Sequence, residues 1–243
     1  MIRPLRRALV LAGGFGTRMK ALTRDTPKPM LPVQDKPILE YTIELGKRFG
    51  ITEYVFSLHY LPEHIKEYFG DGSAFGVSIR YVTEDEPLGT AGPLRLASEF
   101  LSSGPFMMCN ADELKDINLE AMYEQHIATK AAATIALTAV SDPSHYGVVS
   151  LAGKRITAFV EKPKREDAPS NLINAGLYII DPSVINLVSE GFCMIERDVF
   201  PKLAAAGTLY GFPFSGQWFD TGTPERYETA ERVWRGFTEK PLR

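Results

Sequence analysis

The stretch RALVLAGGFGTR, residues 7–18, carries the strongest indication of the fold. Residues 7–12 form a compact apolar run, which is typical of a strand buried on both faces. Glycines follow at positions 13, 14 and 16. Glycine lets backbone N–H groups approach a phosphate with no Cβ in the way. The segment therefore predicts a buried strand that leads directly into a phosphate-binding loop.

Basic side chains surround this loop and come from Arg18, Lys20, Arg24 and Lys28. A nucleoside triphosphate carries about four negative charges, and phosphoryl transfer is catalysed mainly by positioning and charge neutralisation. Two common phosphate motifs do not fit, because Met19 replaces the last glycine of GxGxxG and Arg18 stands where a P-loop begins Gly-Lys-Ser/Thr. A phosphate site of another kind is one interpretation, and a solvated basic surface loop is the alternative.

Strand-like and helix-like segments alternate through the first half of the chain. We predict strands at residues 7–12, 54–59, 77–82 and 106–109, and helices at residues 37–49, 63–69 and 91–101. The second half has more strands with short connections, at residues 132–140, 147–151, 156–161 and 177–180, and helices at residues 182–188, 197–206 and 224–236. This order predicts an α/β protein, with a Rossmann-like, mainly parallel sheet flanked by helices and a more antiparallel second half.

The composition excludes several classes of protein. The chain has 243 residues, of which 44% are hydrophobic and 23% charged, as in globular proteins. A formal net charge of −3 argues against nucleic acid as a partner of the whole molecule. No apolar run approaches the ~18 residues of a membrane helix, so we expect no membrane partner. The two cysteines, Cys109 and Cys193, form no disulfide or zinc framework and suit a cytoplasmic location.

Seven motifs, in order along the chain, give a resemblance to a known family. They are LAGGFGTRMKALTRDTPKPMLPVQDKPILEY (residues 11–41), EDEPLGTAGPL (84–94), CNADEL (109–114), YGVV (146–149), FVEKP (159–163), INAGLYI (173–179) and WFDTGTPERY (218–227). Together they resemble the sugar-1-phosphate nucleotidyltransferases, or NDP-sugar pyrophosphorylases. Within that family they are most similar to the mannose-1-phosphate guanylyltransferases.

The resemblance implies nucleotidyl transfer from a nucleoside triphosphate to a sugar 1-phosphate, with pyrophosphate as the second product. It assigns catalytic action on the triphosphate to Arg18 and Lys28, and a Mg²⁺ cofactor to Asp112 and Asp220. Residues that it places near the nucleotide are Leu11, Ala12, Gly13, Gly14, Glu84, Pro87 and Gly89. Residues that it places near the sugar and its phosphate are Gly147, Glu161, Lys162 and Asn174.

This reaction needs no general base, because the attacking phosphate oxygen is already an anion. The four histidines, His59, His64, His126 and His145, accordingly belong to no recognisable catalytic or metal pattern. We interpret all four as structural or surface residues. The two carboxylates at Asp112 and Asp220 are enough for Mg²⁺, which also takes phosphate oxygens and water.

The base and the sugar are assigned by weaker arguments. A carboxylate only accepts hydrogen bonds, and guanine offers paired donors at N1–H and its exocyclic NH₂, so Glu84 favours GTP. The favoured acceptor is the 1-phosphate of mannose or of another manno-configured sugar such as a heptose. One alternative is uridylyl or thymidylyl transfer to glucose 1-phosphate or an amino-sugar 1-phosphate. Another is a non-catalytic regulatory homologue that binds a sugar nucleotide, although the expected catalytic residues are all present.

The resemblance also implies a single catalytic domain over residues 1–243. Longer relatives add a C-terminal left-handed β-helix of hexapeptide repeats, and we find no such repeat in this sequence. The sequence leaves a homodimer open.

Overall fold

The computed structural model of the chain describes residues 4–238, apart from the side chains of residues 20 and 21. The described residues form two compact units. Residues 4–87, 109–119 and 216–238 belong to the first unit, and residues 88–108 and 120–215 belong to the second. The chain therefore enters and leaves the first unit more than once.

The strands are β1 (Arg7–Leu11), β2 (Pro32–Val33), β3 (Lys36–Pro37), β4 (Glu53–Leu58), β5 (Ser78–Thr83), β6 (Phe106–Asn110), β7 (Glu113–Lys115), β8 (Ala133–Ala139), β9 (Gly147–Ala152), β10 (Arg155–Glu161), β11 (Leu172–Ile180), β12 (Leu209–Pro213) and β13 (Trp218–Asp220). The α-helices are α1 (Ile38–Arg48), α2 (Pro62–Phe69), α3 (Gly92–Leu96), α4 (Ser98–Leu101), α5 (Leu119–Thr129), α6 (Phe200–Ala205) and α7 (Pro224–Val233). No helix of the described residues is long and apolar enough to cross a membrane.

Parallel strands form the sheet of the first unit, in the order β5-β4-β1. In register, Leu9 pairs with Val55, and Val55 pairs with Arg80. The N–H of Ala111 donates to the carbonyl of Leu11 at 3.1 Å, so the residues after β6 lie beside the end of β1. Strands β1, β4 and β5 thus end at one edge, beside the residues that follow β6, and ligands bind at this edge in open parallel sheets.

A second pair of strands completes the first unit. Strand β13 runs antiparallel to β7, and Asp220 pairs in register with Glu113. A core of buried side chains lies with it, made of Met19, Leu31, Val33, Ile38, Tyr41, Leu114, Tyr227, Ala230 and Trp234. Because helix α7 contributes to this core, residues near position 220 are fixed in the same unit as the glycine loop.

The second unit is mostly antiparallel, as predicted. Its strand order is β11-β8-β12-β10-β9, and β11 also pairs with β9. Only β12 and β8 run parallel among these pairs in the described residues. Gly153 has a φ of +62° in the turn between β9 and β10, which pair as an antiparallel hairpin.

Several predicted elements differ from those observed. The helix expected at residues 91–101 is two helices, because Ala97 leaves the helical conformation at φ −94° and ψ 7°. The helix expected at residues 182–188 is a 3₁₀-helix, Pro182–Leu187. Helix α5 was not predicted, because its buried residues include Met122, Gln125 and His126 and so form no single apolar face.

Candidate active site

The glycine loop packs closely against two other segments of the first unit. A Cβ at Gly13 would lie 3.1 Å from His59 Cβ and 3.3 Å from Glu84 Oε1. Gly16 has a φ of +60°, and a Cβ there would lie 3.3 Å from Lys28 Cβ. Glycine therefore avoids tight contacts at both positions, and at Gly16 it also suits the positive φ of the backbone.

The remaining loop residues frame the same edge of the sheet. Leu11 ends strand β1, and the N–H of Ala12 donates to the carbonyl of Ser57 at 2.9 Å. Gly14 is exposed, and nothing would lie within 4 Å of a Cβ built on it. Pro87 is also exposed, at the end of the first stretch of chain in the first unit. Among the residues expected near the nucleotide, Ala12 is thus hydrogen-bonded to the sheet, whereas Gly14 and Pro87 are accessible to solvent.

Glu84 is buried and hydrogen-bonded rather than lying in solvent. It is 8% exposed, and Ser57 Oγ donates to its Oε1 at 2.8 Å. The His59 ring lies next to it, with Nδ1 2.7 Å from the backbone carbonyl of Glu84. Because a carbonyl can only accept, Nδ1 carries the proton of this bond. His59 is thus structural, as predicted, but it lies at the edge that carries the glycine loop.

Lys28 and Asp112 form an ion pair. Lys28 Nζ donates to Asp112 Oδ2 at 2.5 Å, and the Lys28 side chain is only 6% exposed. Burial alone would raise the pKa of the Asp112 carboxyl, but the charge and hydrogen bond of Lys28, helped by Lys115, hold it below its ordinary value. Asp112 is therefore a carboxylate in the free protein.

Asp220 is held by two donors. Its Oδ1 accepts from the N–H of Gly222 at 2.7 Å, and its Oδ2 accepts from Arg226 Nη1 at 2.5 Å. A Cβ at Gly222 would lie 3.0 Å from Arg18 Nη2, so the Arg18 guanidinium lies against this turn. Thr221 Oγ1 donates to the carbonyl of Asp112 at 2.8 Å and thereby joins the two aspartate segments.

Two further charged residues occupy the same β7–β13 pair. Lys115 is 3% exposed at its side chain, and its Nζ lies 3.3 Å from Glu113 Oε2. Burial raises the pKa of Glu113; Lys115 opposes this rise, and the negative charges of Asp112 and Asp220 add to it. Three carboxylates and several cations therefore share this region of the first unit.

The donor set of this region fits Mg²⁺. Carboxylate oxygens are the protein ligands that Mg²⁺ prefers, and it commonly takes one or two of them together with phosphate oxygens and water. In the part of the chain that the structure describes, no group of three or more His, Cys, Asp or Glu residues could hold a metal ion alone. Asp112 and Asp220 could therefore hold Mg²⁺ only together with a bound phosphate or water.

The other cations of the predicted loop differ in their placement. Arg24 is 80% exposed at its side chain and pairs with the equally accessible Asp25, at 2.8 Å. This position fits the solvated-surface alternative. The side chain of Lys20 lies outside the described residues.

The second unit contains Gly147, Glu161 and Lys162. A Cβ at Gly147 would lie 2.4 Å from the ring of Phe159 and 3.0 Å from Glu161 Oε2, so only glycine fits there. Lys162 has a φ of +47°, which is unusual for a residue with a side chain. Its Nζ lies 3.2 Å from Glu161 Oε1, and its side chain is 60% exposed at the surface.

Asn174 and Gly89 also belong to the second unit. Asn174 Nδ2 donates to the Tyr178 hydroxyl at 2.9 Å, and its Oδ1 accepts from the N–H of Gly176 at 2.9 Å. Gly89 has a φ of +74°, and a Cβ there would lie 2.5 Å from the carbonyl oxygen of Cys193. Gly89 therefore packs against the segment around Cys193.

Comparison with known proteins shows the family of this chain. Residues 7–235 match the sequence profile described as nucleotidyl transferase. The chain belongs to the nucleotidyl transferase family. A relative from Arabidopsis thaliana, named mannose-1-phosphate guanylyltransferase 1, is 40% identical over 234 residues, which cover 94% of this chain and 64% of that protein. The chain spans 62–65% of the length of the curated relatives that it matches.

Solved structures support the same family fold. A Bacillus anthracis structure, described as a "Putative Glucose-1-Phosphate Thymidylyltransferase" in complex with sucrose, has a TM-score of 0.87 and 26% identity, covering 96% of this chain and 97% of that one. HddC from Yersinia pseudotuberculosis complexed with GMP-PN has a TM-score of 0.80 and 26% identity, covering 95% and 100%. The predicted α/β fold with a central sheet and flanking helices is confirmed.

Sequence reasoning missed several polar residues of this nucleotidyl transferase. The residues that surround Asp112 and Asp220 in the structure are Glu113, Lys115 and Arg226, which lie in or next to the quoted motifs. Their placement follows from the pairing of β7 with β13. Ser57 and Thr90 are neutral side chains whose partners are 27 and 106 residues away. In the sequence, the signal for these residues is that they lie inside the quoted motifs: Glu113 in CNADEL, Thr90 in EDEPLGTAGPL and Arg226 in WFDTGTPERY.

Proposed function

We propose that this nucleotidyl transferase moves a guanylyl group from GTP to mannose 1-phosphate or to the 1-phosphate of another manno-configured sugar such as a heptose. An oxygen of the sugar phosphate attacks the α-phosphorus of GTP, and the bond from that phosphorus to the bridging oxygen breaks. The products are a GDP-sugar and pyrophosphate. The observation that carries the proposal is the Lys28–Asp112 pair, joined through Thr221 to the segment of Asp220 in a chain of this family.

The first unit supplies the groups that act on the triphosphate. Attack by one anion on another is slow because the charges repel, so cations fixed in place lower the barrier. Lys28 is a buried point charge beneath the glycine loop, and Arg18 offers a fork of N–H donors beside Asp220. Gly13 and Gly14 would let the triphosphate approach the backbone, and Leu11 and Ala12 hold the loop to the sheet.

Asp112 and Asp220 would hold Mg²⁺ in this scheme. When bound, Mg²⁺ neutralises phosphate charge during nucleotidyl transfer. Lys28 and Arg226 already orient both carboxylates in the free protein.

The second unit supplies the groups that act on the sugar 1-phosphate. Lys162 extends an exposed ammonium, which suits a phosphate that must enter and leave. Glu161 and Asn174 would accept or donate to sugar hydroxyls, and Gly147 would let the ring approach the backbone. Gly89, in the motif EDEPLGTAGPL that begins with Glu84, would keep its part of that motif against the Cys193 segment.

The choice of guanine and a manno-configured sugar follows the curated relatives and the chemistry of Glu84. Those relatives are named mannose-1-phosphate guanylyltransferases or guanyltransferases, some of them as probable ones, at 38–40% identity. Glu84 is a buried carboxylate, which pairs well with two adjacent donors. The named function of the Bacillus anthracis relative favours thymidylyl transfer to glucose 1-phosphate as a second candidate.

One experiment separates the candidates. Pyrophosphate release is measured with GTP, UTP, dTTP and ATP against mannose, heptose, glucose and amino-sugar 1-phosphates, with and without Mg²⁺. We expect the highest kcat/KM for GTP with a manno-configured acceptor. A preference for dTTP or UTP with glucose 1-phosphate would establish the second candidate. Binding without pyrophosphate release from any pair would establish the regulatory alternative.

A further inference from the structure

Within the second unit, residues 88–91 are hydrogen-bonded along their length to residues 193–196. The N–H of Cys193 donates to the carbonyl of Leu88, and the N–H of Ala91 donates to the carbonyl of Cys193, both at 2.9 Å. The N–H of Ile195 donates to Thr90 Oγ1, also at 2.9 Å. These two segments are therefore held together as one piece, which we call the 90/196 pair.

Glu196 is the charged residue of this pair. It is 9% exposed and lies in a π-helical turn, Ile195–Val199, a distortion frequently found at functional sites. Its Oε2 accepts from Thr90 Oγ1 at 2.5 Å. The backbone N–H of Glu196 also hydrogen-bonds its own carboxyl. The carboxyl is thus oriented by Thr90 and by its own backbone, and the residue keeps 9% of its surface exposed.

The surroundings of Glu196 are those of the expected sugar residues. The turn that carries it packs against β10, the strand that ends at Glu161, and the ring of Phe200 lies 5.3 Å from that of Phe159. The charges of Glu161 and Lys162 both reach the Glu196 carboxyl. Burial raises the pKa of Glu196, and the hydrogen bond from Thr90 opposes that rise.

We propose that Glu196 is a second acceptor of a sugar hydroxyl, beside Glu161, and that Thr90 is the residue that positions it. The inference rests on the proposed function and deepens it, since the ligand class is the hydroxyl-bearing ring of a sugar 1-phosphate. A pyranose offers O–H donors in fixed directions, and a carboxylate oxygen anchored on one side accepts from a defined direction. Rejecting a sugar that lacks the matching hydroxyl then follows from leaving this oxygen unpaired.

The test measures equilibrium binding of mannose 1-phosphate and its monodeoxy analogues by titration calorimetry. The proteins are the wild type, Glu196→Gln and the matched control Glu124→Gln, an exposed residue of helix α5. We expect one deoxy analogue to bind the wild type and the control about tenfold more weakly than the parent sugar phosphate. In Glu196→Gln, that analogue and the parent should bind with closely similar affinity.

A second pair of variants keeps the test decisive if Glu196→Gln fails to fold. Thr90→Val removes the donor and keeps the carboxylate, whereas Thr90→Ser keeps the donor. The ratio of the dissociation constants of the deoxy analogue and the parent sugar phosphate should fall at least about threefold in Thr90→Val. In Thr90→Ser this ratio should keep its wild-type value.

The inference would be overturned if the loss of affinity for the deoxy sugar were unchanged in Glu196→Gln, or in Thr90→Val if Glu196→Gln does not fold. It would also be overturned if the wild type bound no sugar 1-phosphate. Pyrophosphate release by the same proteins separates this inference from the proposed function. If the wild type releases pyrophosphate but the deoxy penalties do not change, the function stands and the inference is wrong. If it binds sugar phosphates without releasing pyrophosphate from any nucleotide, the proposed function fails and the binding data still decide the inference.

Discussion

The ammonium of Lys28 donates directly to the carboxylate of Asp112, at 2.5 Å, and the two residues are 84 positions apart in the chain. One is expected to act on the triphosphate and the other to hold a metal ion. Their pairing keeps both charges in place within the first unit before a substrate arrives. A buried charge without a partner would be costly, so each residue also stabilises the other.

Lys28→Met should reduce both activity and stability. The loss of one fixed cation beside the triphosphate should lower kcat by about 100-fold or more while the KM for sugar 1-phosphate changes little. The unpaired Asp112 should cost about 1–3 kcal/mol of unfolding free energy, a reduced figure because its side chain is 35% exposed. Steady-state kinetics and urea unfolding measure the two effects.

The double variant Lys28→Met with Asp112→Asn separates these effects. Neutralising Asp112 removes the unpaired charge, so stability should return toward the wild type while kcat stays low. Recovery of activity in the double variant would contradict the role of Lys28 in the chemical step.

Asp112→Asn and Asp220→Asn should each abolish most of the Mg²⁺-dependent activity. An amide oxygen is a weaker ligand for a hard cation than a carboxylate, so turnover should fall by about 100-fold or more. Asp35→Asn, at an exposed position of the first unit, is the control. A Mg²⁺ titration of pyrophosphate release provides the measurement. Normal Mg²⁺ dependence in either variant would remove that aspartate from the metal site.

Lys162→Ala should weaken sugar phosphate and spare the nucleotide. A charge-assisted contact is worth about 1.5–3 kcal/mol, which predicts at least about a tenfold rise in the KM for sugar 1-phosphate. Lys164→Ala is a matched control, because Lys164 is an exposed lysine two positions away. If Lys162→Ala changed only the KM for the nucleotide, the assignment of Lys162 would be wrong.

Glu84→Gln should lower the preference for GTP over UTP and dTTP. Ser57 Oγ donates to Glu84 Oε1, so the variant's amide oxygen should take that place and its NH₂ should replace the other oxygen. A donor there opposes the donors of guanine but matches a carbonyl of uracil or thymine. The ratio of kcat/KM values should fall about tenfold. A ratio within about twofold of the wild type would contradict base recognition by Glu84.

Acid should destabilise the second unit through His126. Burial lowers the pKa of His126 from 6.5 to about 4, although the charge of Asp181 opposes the shift. The unfolded chain therefore takes up the proton first, and stability that is complete above pH 6.5 is lost as the pH falls toward 4. Between pH 7 and pH 5 the loss should be about 2 kcal/mol.

Urea unfolding of the wild type and His126→Gln at both pH values measures this effect. The variant lacks the titrating ring, so its unfolding free energy should change less between the two pH values, by about 2 kcal/mol. An equal change in both proteins would show that His126 is not the group responsible.

Most strands and helices and the glycine loop follow from the sequence itself, although helix α5 does not, and the motifs assign the candidate site residues by resemblance. Apolar runs of 4–6 residues such as residues 7–12 and 54–59 are local features, and in the structure they form strands β1 and β4. The structure extends these elements by a few residues, as at β11, and adds β12, whose Gly211 and Pro213 weaken a strand pattern. Motif order along the chain was likewise enough to name Arg18, Lys28, Asp112 and Asp220.

Only the tertiary structure decided which of these residues hold one another. The pairing of Lys28 with Asp112, of Asp220 with Arg226 and of Thr90 with Glu196 leaves no local pattern, because two of the three pairs join segments 84 and 106 residues apart. The burial of Glu84 and Glu196 has the same origin, since a carboxylate is exposed or buried according to what packs over it. Charge and hydrogen-bonding capacity are properties of each residue, whereas partners, burial and pKa are properties of the packed chain.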